Sequence, residues 1–298
     1  LTARLFGERP SAELMDFYER ALYNHILASQ DPELGMFVYL MSLKPGHFKS
    51  YSTQLDSFWC CVGTGVENHT KYGEAIYSHG KDTLFVNLFI PSELTWRSKG
   101  LTLVQESKFP EEGRSRLTLK VEKTVPFSLM IRRPGWLAGP MTLKVNNQAV
   151  PAEPDQTGYV GITRDWKNGD TVEVDLPMAL RTEPLPGSTQ MVALLYGPIV
   201  LAGKLGTKGM PAAPYAAPYA ANQWDHVRIP DDPPPTLCAS GADWLTKISP
   251  VPGQALHFQT KGLGQPKDVD LVPFYRMHSE RYTVYWELRP EGCGQGTK

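Results

Sequence analysis

Cysteine is scarce in this chain of 298 residues: it occurs at positions 60, 61, 238 and 293 only. Four scattered cysteines are too few for the disulfide framework of a small secreted scaffold. A Cys238–Cys293 bridge has no particular signal behind it, and two buried or free thiols are the expected reading there. Long apolar runs are also missing. None approaches the roughly 18 residues that a membrane helix needs, so no membrane partner is expected. Charge of one sign is not in excess, with 30 Lys and Arg against 31 Asp and Glu. No basic stripe alternates with aromatics, which argues against a nucleic-acid partner. The opening residues, "LTARLFGERP", contain neither an apolar signal region nor a cleavage site, so they say nothing about secretion.

What is present is ordinary globular material, with 41% apolar and 20% charged residues. The length allows two or three domains with real cores. In "SAELMDFYERALYNHILASQ", Leu14, Phe17, Tyr18, Ala21, Leu22 and Ile26 recur at the three-and-four spacing of one helix face. Ser11 is placed to cap that helix. A second helical pattern runs from Gly63 to Tyr77 through Val66, His69, Gly73 and Ile76, weakened by its glycines.

From about residue 83 the apolar period becomes two. "TLFVNLFI", "LTLVQESKF", "RLTLKVEKTVPFSLMIRRP", "MTLKVNNQAV", "GYVGITRDW" and "TVEVDLP" read as strands. Turn signals such as Asn146-Asn147 and Asn168-Gly169-Asp170 separate them. This spacing predicts antiparallel β structure rather than alternating strand and helix. A boundary falls within "RTEPLPGSTQ", Arg181 to Gln190. Beyond it, "MVALLYGPIVLAG" is a buried strand broken at Gly197-Pro198, and "PAAPYAAPYAANQW" is an irregular connection. "RYTVYWEL" is the last strand, with Tyr282, Val284 and Trp286 on one face. The residues alone predict a helical N-terminal piece followed by two β-rich domains.

The stretch with chemistry in it is "DSFWCCVGTGVENHTKYGEAIY", Asp56 to Tyr77. Adjacent Cα atoms lie about 3.8 Å apart, closer than an ordinary disulfide prefers. Two neighbouring sulfurs can instead converge on one metal ion, which deprotonates them. A thiolate is also a nucleophile. Plain packing of two buried cysteines is the competing reading, and two ligands alone make no zinc site.

The surroundings of the pair are more specific. "GHFKSYSTQLDSFWCCVGTGVENHTKYGEAIY" with "DTLFVNLFIPSELTW" closely resembles the motif region of glycoside hydrolase family 127, the β-L-arabinofuranosidase family. The likeness extends through "KFP", "LMIRRPGW", "GYVGITRDWKNGDTVEVDLPM", "ALLYGPIVLAG" and "DVDLVPFYRMHSERYTVYWEL". It implies an α+β multidomain chain: the C-terminal part of an (α/α)6 barrel over 1–78, then β-sandwich domains over 79–182 and 183–298. It implies a retaining glycosidase with a zinc-bound cysteine nucleophile, releasing β-L-arabinofuranose or a related uncommon sugar from plant glycans. Cys60 takes the nucleophile role and Cys60 with Cys61 the zinc-ligand role. The family's other ligands, a glutamate and a cysteine, and its acid/base glutamate lie upstream in the barrel. No cysteine precedes Cys60 here, so the resemblance implies a C-terminal fragment with an incomplete Zn2+ site and no activity by itself.

Tyr39, His47 and Trp59 are the candidates for contact with the carbohydrate. Phe58 is a further wall candidate, with burial the alternative for both aromatics. Glu67 and Glu74, seven apart, would share a helix face as solvated residues or, less plainly, as acids. His69 is expected to be structural. Arg132, Arg133 and the tryptophans at 96, 136 and 166 are expected to protect edges and fill a core. A different class of function, a non-catalytic β-sandwich protein that is structural or binds carbohydrate, fits the same strands. A thiol redox or zinc-storage role has no CxxC context to support it.

Overall fold

The computed structural model describes residues 1–57, 59–210, 234–239, 241 and 243–289. The proline- and alanine-rich connection, Phe58 and Cys293 lie outside them. The chain is mostly sheet with few helices, and its contacts divide it into two compact units.

The first unit is Leu1–Ala21 with Thr70–Ala179. It holds the helices α1 (Thr2–Glu8) and α2 (Ala12–Ala21) and two sheets. The smaller sheet orders Tyr77–His79, Thr83–Val86, Val125–Arg132 and Tyr159–Trp166, with its two middle strands parallel. The larger runs Ser92–Trp96, Leu101–Ser107, Arg114–Val121, Thr171–Asp175, Thr142–Val145 and Gln148–Val150, antiparallel throughout. Alternation is clean in Arg114–Val121, where Ser115, Leu117, Leu119 and Val121 point inward. Asn146 and Asn147 both take positive φ, 50° and 65°, the conformation a two-residue hairpin turn requires.

α2 departs from expectation. It stops at Ala21, continuing as a π turn (Leu22–Ile26) and a 3₁₀ turn (Leu27–Ser29). Its buried residues are Ala12, Met15 and Glu19, while Phe17 is 64% exposed. The physical reason is Arg132, fully buried on the strand Val125–Arg132. Its guanidinium pairs with Asp16 and, at 2.5 Å, with Glu19, whose other oxygen accepts from Trp136 Nε1 at 2.7 Å. The rotation that brings Glu19 to Arg132 turns Phe17 outward. Arg132 therefore does not protect an edge. Trp96, Trp136 and Trp166 are buried, as core filling requires. Phe6, Phe85 and Tyr159 pack edge-on and tilted around the same helix pair.

The second unit is Leu22–His69 with Leu180–Lys298. Its sheet, ten-stranded among the described residues, is centred on Met191–Tyr196 and Ile199–Lys204, joined at Gly197 with φ 54°. Both strands are buried along nearly their whole length, which is why the sequence there is a continuous apolar run. Ala193, Leu195, Val200, Ala202, Phe274, Met277, Tyr282 and Val284 form one core with Ala28. The closing strand is interrupted at Val284, leaving Tyr282–Thr283 and Tyr285–Arg289. Cys238 is buried and disulfide-bonded, which corrects the thiol reading for it.

Lys49 is 1% exposed. Its ammonium donates to the Phe274 carbonyl at 3.0 Å and lies 4.4 Å from the centroid of the Phe274 ring. Burial pushes its pKa down from 10.5 to about 7. Below pH 7 both folded and unfolded chains carry the proton, and the burial cost is full. Between about 7 and 10.5 the folded chain sheds it first, so this group makes stability rise with pH. The stability of Lys49→Met relative to the parent is therefore expected to be highest below pH 7 and to fall as pH approaches 10. Urea unfolding at a series of pH values checks this, and a pH-independent difference would contradict it.

Candidate active site

The cysteine pair opens a helix. α3 spans Cys60–Asn68, with Trp59 as its N-terminal flank in extended conformation, φ −75° and ψ 147°. Thr64 Oγ1 donates back to the Cys60 carbonyl at 3.1 Å. The two glycines of "VGTGVE" differ in purpose. Gly63 faces open space, whereas a Cβ at Gly65 would come within 2.4–2.6 Å of Phe37 ring carbons. Gly65 thus lets Phe37 lie directly on the helix backbone. His69, just past the helix, has its ring 6.0 Å from that of Phe37.

Cys60 is exposed and Cys61 half-buried, both as free thiols. Their sulfurs stand 3.7 Å apart. Tetrahedral zinc with bonds of about 2.3 Å sets two sulfurs about 3.8 Å apart. The pair therefore fits two corners of such a site. Among the described residues, no group of three or more His, Cys, Asp or Glu stands together to complete one. Burial pushes the Cys61 thiol up, and the neighbouring Cys60 sulfur adds to the shift. Two negative sulfurs at this distance repel, so a shared cation is what allows both to ionise. The first turn of a helix is a favourable place for such charge.

Trp59 is buried, and its ring meets that of Tyr39 edge-on at 5.8 Å. Tyr39 is 40% exposed. The structure thus brings Tyr39, Trp59 and the cysteines together. His47 is in the same unit, in a loop bridged to Tyr282. Its ring stacks on Phe48, 5.2 Å between centroids, and burial lowers its pKa. His47 Nδ1 lies 2.9 Å from the Phe48 carbonyl, which can only accept, so Nδ1 carries the proton. Nε2 of the neutral ring is then an acceptor.

Glu67 is exposed on α3. Glu74 is not on that helix: residues 69–76 are turns, and Glu74 pairs with Lys71 at 3.7 Å. The shared helix face expected for the two glutamates does not exist.

Sequence reasoning missed what surrounds this site. Tyr51 is fully buried and its hydroxyl meets His278 Nδ1 at 2.5 Å. Lys49 and Ser52 are buried beside it in sequence. These partners lie more than 200 residues apart, beyond the reach of any local spacing rule.

Comparison with known proteins bears on the family and the fold. The profile described as the β-L-arabinofuranosidase family 127 catalytic domain matches residues 1–74, and that of the family's middle domain matches 83–178. A domain of unknown function matches 181–288. No curated protein sequence matches the chain. Among solved structures, a protein titled glycoside hydrolase is 22% identical over 96% of this chain, with a TM-score of 0.72. A family 127 β-L-arabinofuranosidase from Geobacillus stearothermophilus T6 is 21% identical over 97% of the chain, with a TM-score of 0.70. A family 127 β-arabinofuranosidase is 22% identical over 97%, with a TM-score of 0.69. This chain covers 50%, 48% and 48% of those three, about half of their length. The likeness shows a shared fold. With the catalytic and middle profiles together matching more than half of its residues, the chain belongs to glycoside hydrolase family 127.

Proposed function

We propose that this chain is the C-terminal part of a retaining glycoside hydrolase that releases β-L-arabinofuranose, or a related uncommon sugar, from plant glycans. The observation that carries the reading is the cysteine pair at the start of α3, with sulfurs 3.7 Å apart and Cys60 exposed. The catalytic-domain match over 1–74 supports placing 1–78 at the end of an (α/α)6 barrel. The further matches support β-sandwich domains over 79–182 and 183–298.

In this reading Cys60 and Cys61 hold a zinc ion with ligands from the upstream part of the full-length protein. Bound zinc keeps the sulfurs ionised. The Cys60 sulfur attacks the anomeric carbon, and the leaving oxygen takes a proton from an acid carried by the upstream part. The product is a glycosyl thioether on Cys60. Water, giving its proton to the now-deprotonated acid, then displaces the sulfur, which leaves as thiolate, so two inversions retain configuration overall. The exposed part of Tyr39, set by buried Trp59, lies against the sugar. His47 Nε2 accepts from a sugar hydroxyl.

The test is zinc content together with nitrophenol release from a nitrophenyl β-L-arabinofuranoside, on this chain and on the full-length protein. The full-length protein is expected to bind about one zinc and turn over, and this chain to do neither. Turnover by this chain alone would place the acid among residues described above. Absence of both from the full-length protein would overturn the reading in favour of a non-catalytic carbohydrate-binding protein.

A further inference from the structure

The profile match over 181–288 carries no function. Yet residues near the end of that segment make a dense set of bonds to one loop, 42–51, ahead of the cysteine pair. Lys49 donates to the Phe274 carbonyl. His278 Nε2 lies 2.7 Å from the Tyr275 carbonyl and so carries its proton there, leaving Nδ1 to accept from the Tyr51 hydroxyl. Arg281 Nε donates to the Gly46 carbonyl at 2.8 Å. The Tyr282 hydroxyl donates to the Ser42 carbonyl. The backbones of Tyr282 and the loop exchange two further bonds: Gly46 N–H to Tyr282 O and Tyr282 N–H to His47 O, both 2.8 Å.

The loop in turn reaches the cysteines through packed contacts. Val38 bridges Tyr51. Phe37 N–H donates to Ser52 Oγ, and Ser52 N–H to the Phe37 carbonyl. Phe37 then lies on Gly65 of α3, and Tyr39 lies on Trp59, immediately before Cys60. A continuous series of hydrogen bonds and packed contacts therefore joins residues 274–282 to α3 and to Trp59 at its start.

We propose that the stretch 274–282 is a positioning element for the cysteine pair, acting through the loop 42–51, and that this anchoring is a function of the domain matched over 181–288. The inference rests on the glycosidase reading for its kinetic consequence, not for the anchoring itself. One feature argues that the arrangement is more than packing: Lys49, with Tyr51 and His278 beside it, is buried at a site where an apolar side chain would cost less.

The test uses Tyr51→Phe and Tyr282→Phe, which each delete one anchoring hydroxyl. Thr260→Val is the control. It deletes a buried hydroxyl bonded to Asp268, in the same unit but outside the loop contacts. Losing one such bond is expected to speed amide exchange at 37–52 about tenfold. Exchange in Met191–Lys204 should hold. In the full-length protein kcat/KM for the nitrophenyl arabinofuranoside should fall about tenfold, and Thr260→Val should leave exchange at 37–52 and kcat/KM in place. Unchanged exchange, or faster exchange with unchanged kcat/KM, overturns the proposal. Should the full-length parent hydrolyse no arabinofuranoside, the glycosidase reading fails separately. Alkylation of Cys60 by iodoacetamide in this chain then decides the anchoring. A rate altered in the two tyrosine variants and not in Thr260→Val supports it, and equal rates in all three overturn it.

Discussion

Replacing Cys60 by alanine in the full-length protein is expected to lower kcat by a factor on the order of 10⁴ to 10⁶, the range lost when a covalent nucleophile is removed. Cys60 is the residue to test because it is exposed at the first position of α3, whereas Cys61 is half-buried behind it. Cys61→Ala should lower activity through loss of zinc, so its deficit should lessen as zinc in the assay is raised. Cys60→Ala should stay inactive at any zinc concentration. Glu67→Gln should leave turnover close to the parent's, since its side chain lies on the exposed part of α3. Near-normal turnover by Cys60→Ala would remove the nucleophile assignment altogether.

The second large effect concerns stability. Arg132→Met is expected to destabilise folding by about 3–5 kcal/mol, the usual result of stripping one partner from a buried ion pair. Glu19 would be left with Trp136 Nε1 as its remaining contact in the cluster, and Asp16 would retain the Gly135 N–H. Burial already pushes the Glu19 carboxyl up, against the pull of Arg132. Without the guanidinium it would rise further. In that variant the folded state holds its proton above the pH where the unfolded chain has lost it, so stability falls as pH rises through that window. The deficit should thus be largest near neutral pH and shrink in mild acid. Adding Glu19→Leu should recover part of it, because the orphaned charge is then gone. Urea unfolding of the parent and the two variants measures both effects. A deficit below about 1 kcal/mol would mean that water reaches the cluster freely.

Much of this architecture was legible locally. The run "RLTLKVEKTVPFSLMIRRP" read as strand and forms Arg114–Val121 and Val125–Arg132, and Asn146-Asn147 read as a turn and makes one. The Trp-Cys-Cys step drew attention to the start of α3. What escaped was set by distant partners. Phe17 completes an apolar face on paper, but Arg132, 113 residues from Glu19, rotates α2 to bury the glutamate. The helical spacing after Gly63 runs on to Ile76, yet α3 ends at Asn68. That removes Glu74 from the helix. Likewise nothing near Lys49 or Tyr51 announces Phe274 and His278. Sequence periodicity reports which face meets a core. It does not report which single polar group on the other side of the core will claim a position.

The most direct measurement is mass spectrometry of the zinc-loaded full-length protein quenched in acid during turnover of a nitrophenyl β-L-arabinofuranoside. A peptide containing Cys60 is expected to be heavier by one anhydropentosyl group, a species absent from Cys60→Ala. Turnover with that peptide unmodified, and the added mass on a glutamate or aspartate elsewhere, would contradict the nucleophile assignment.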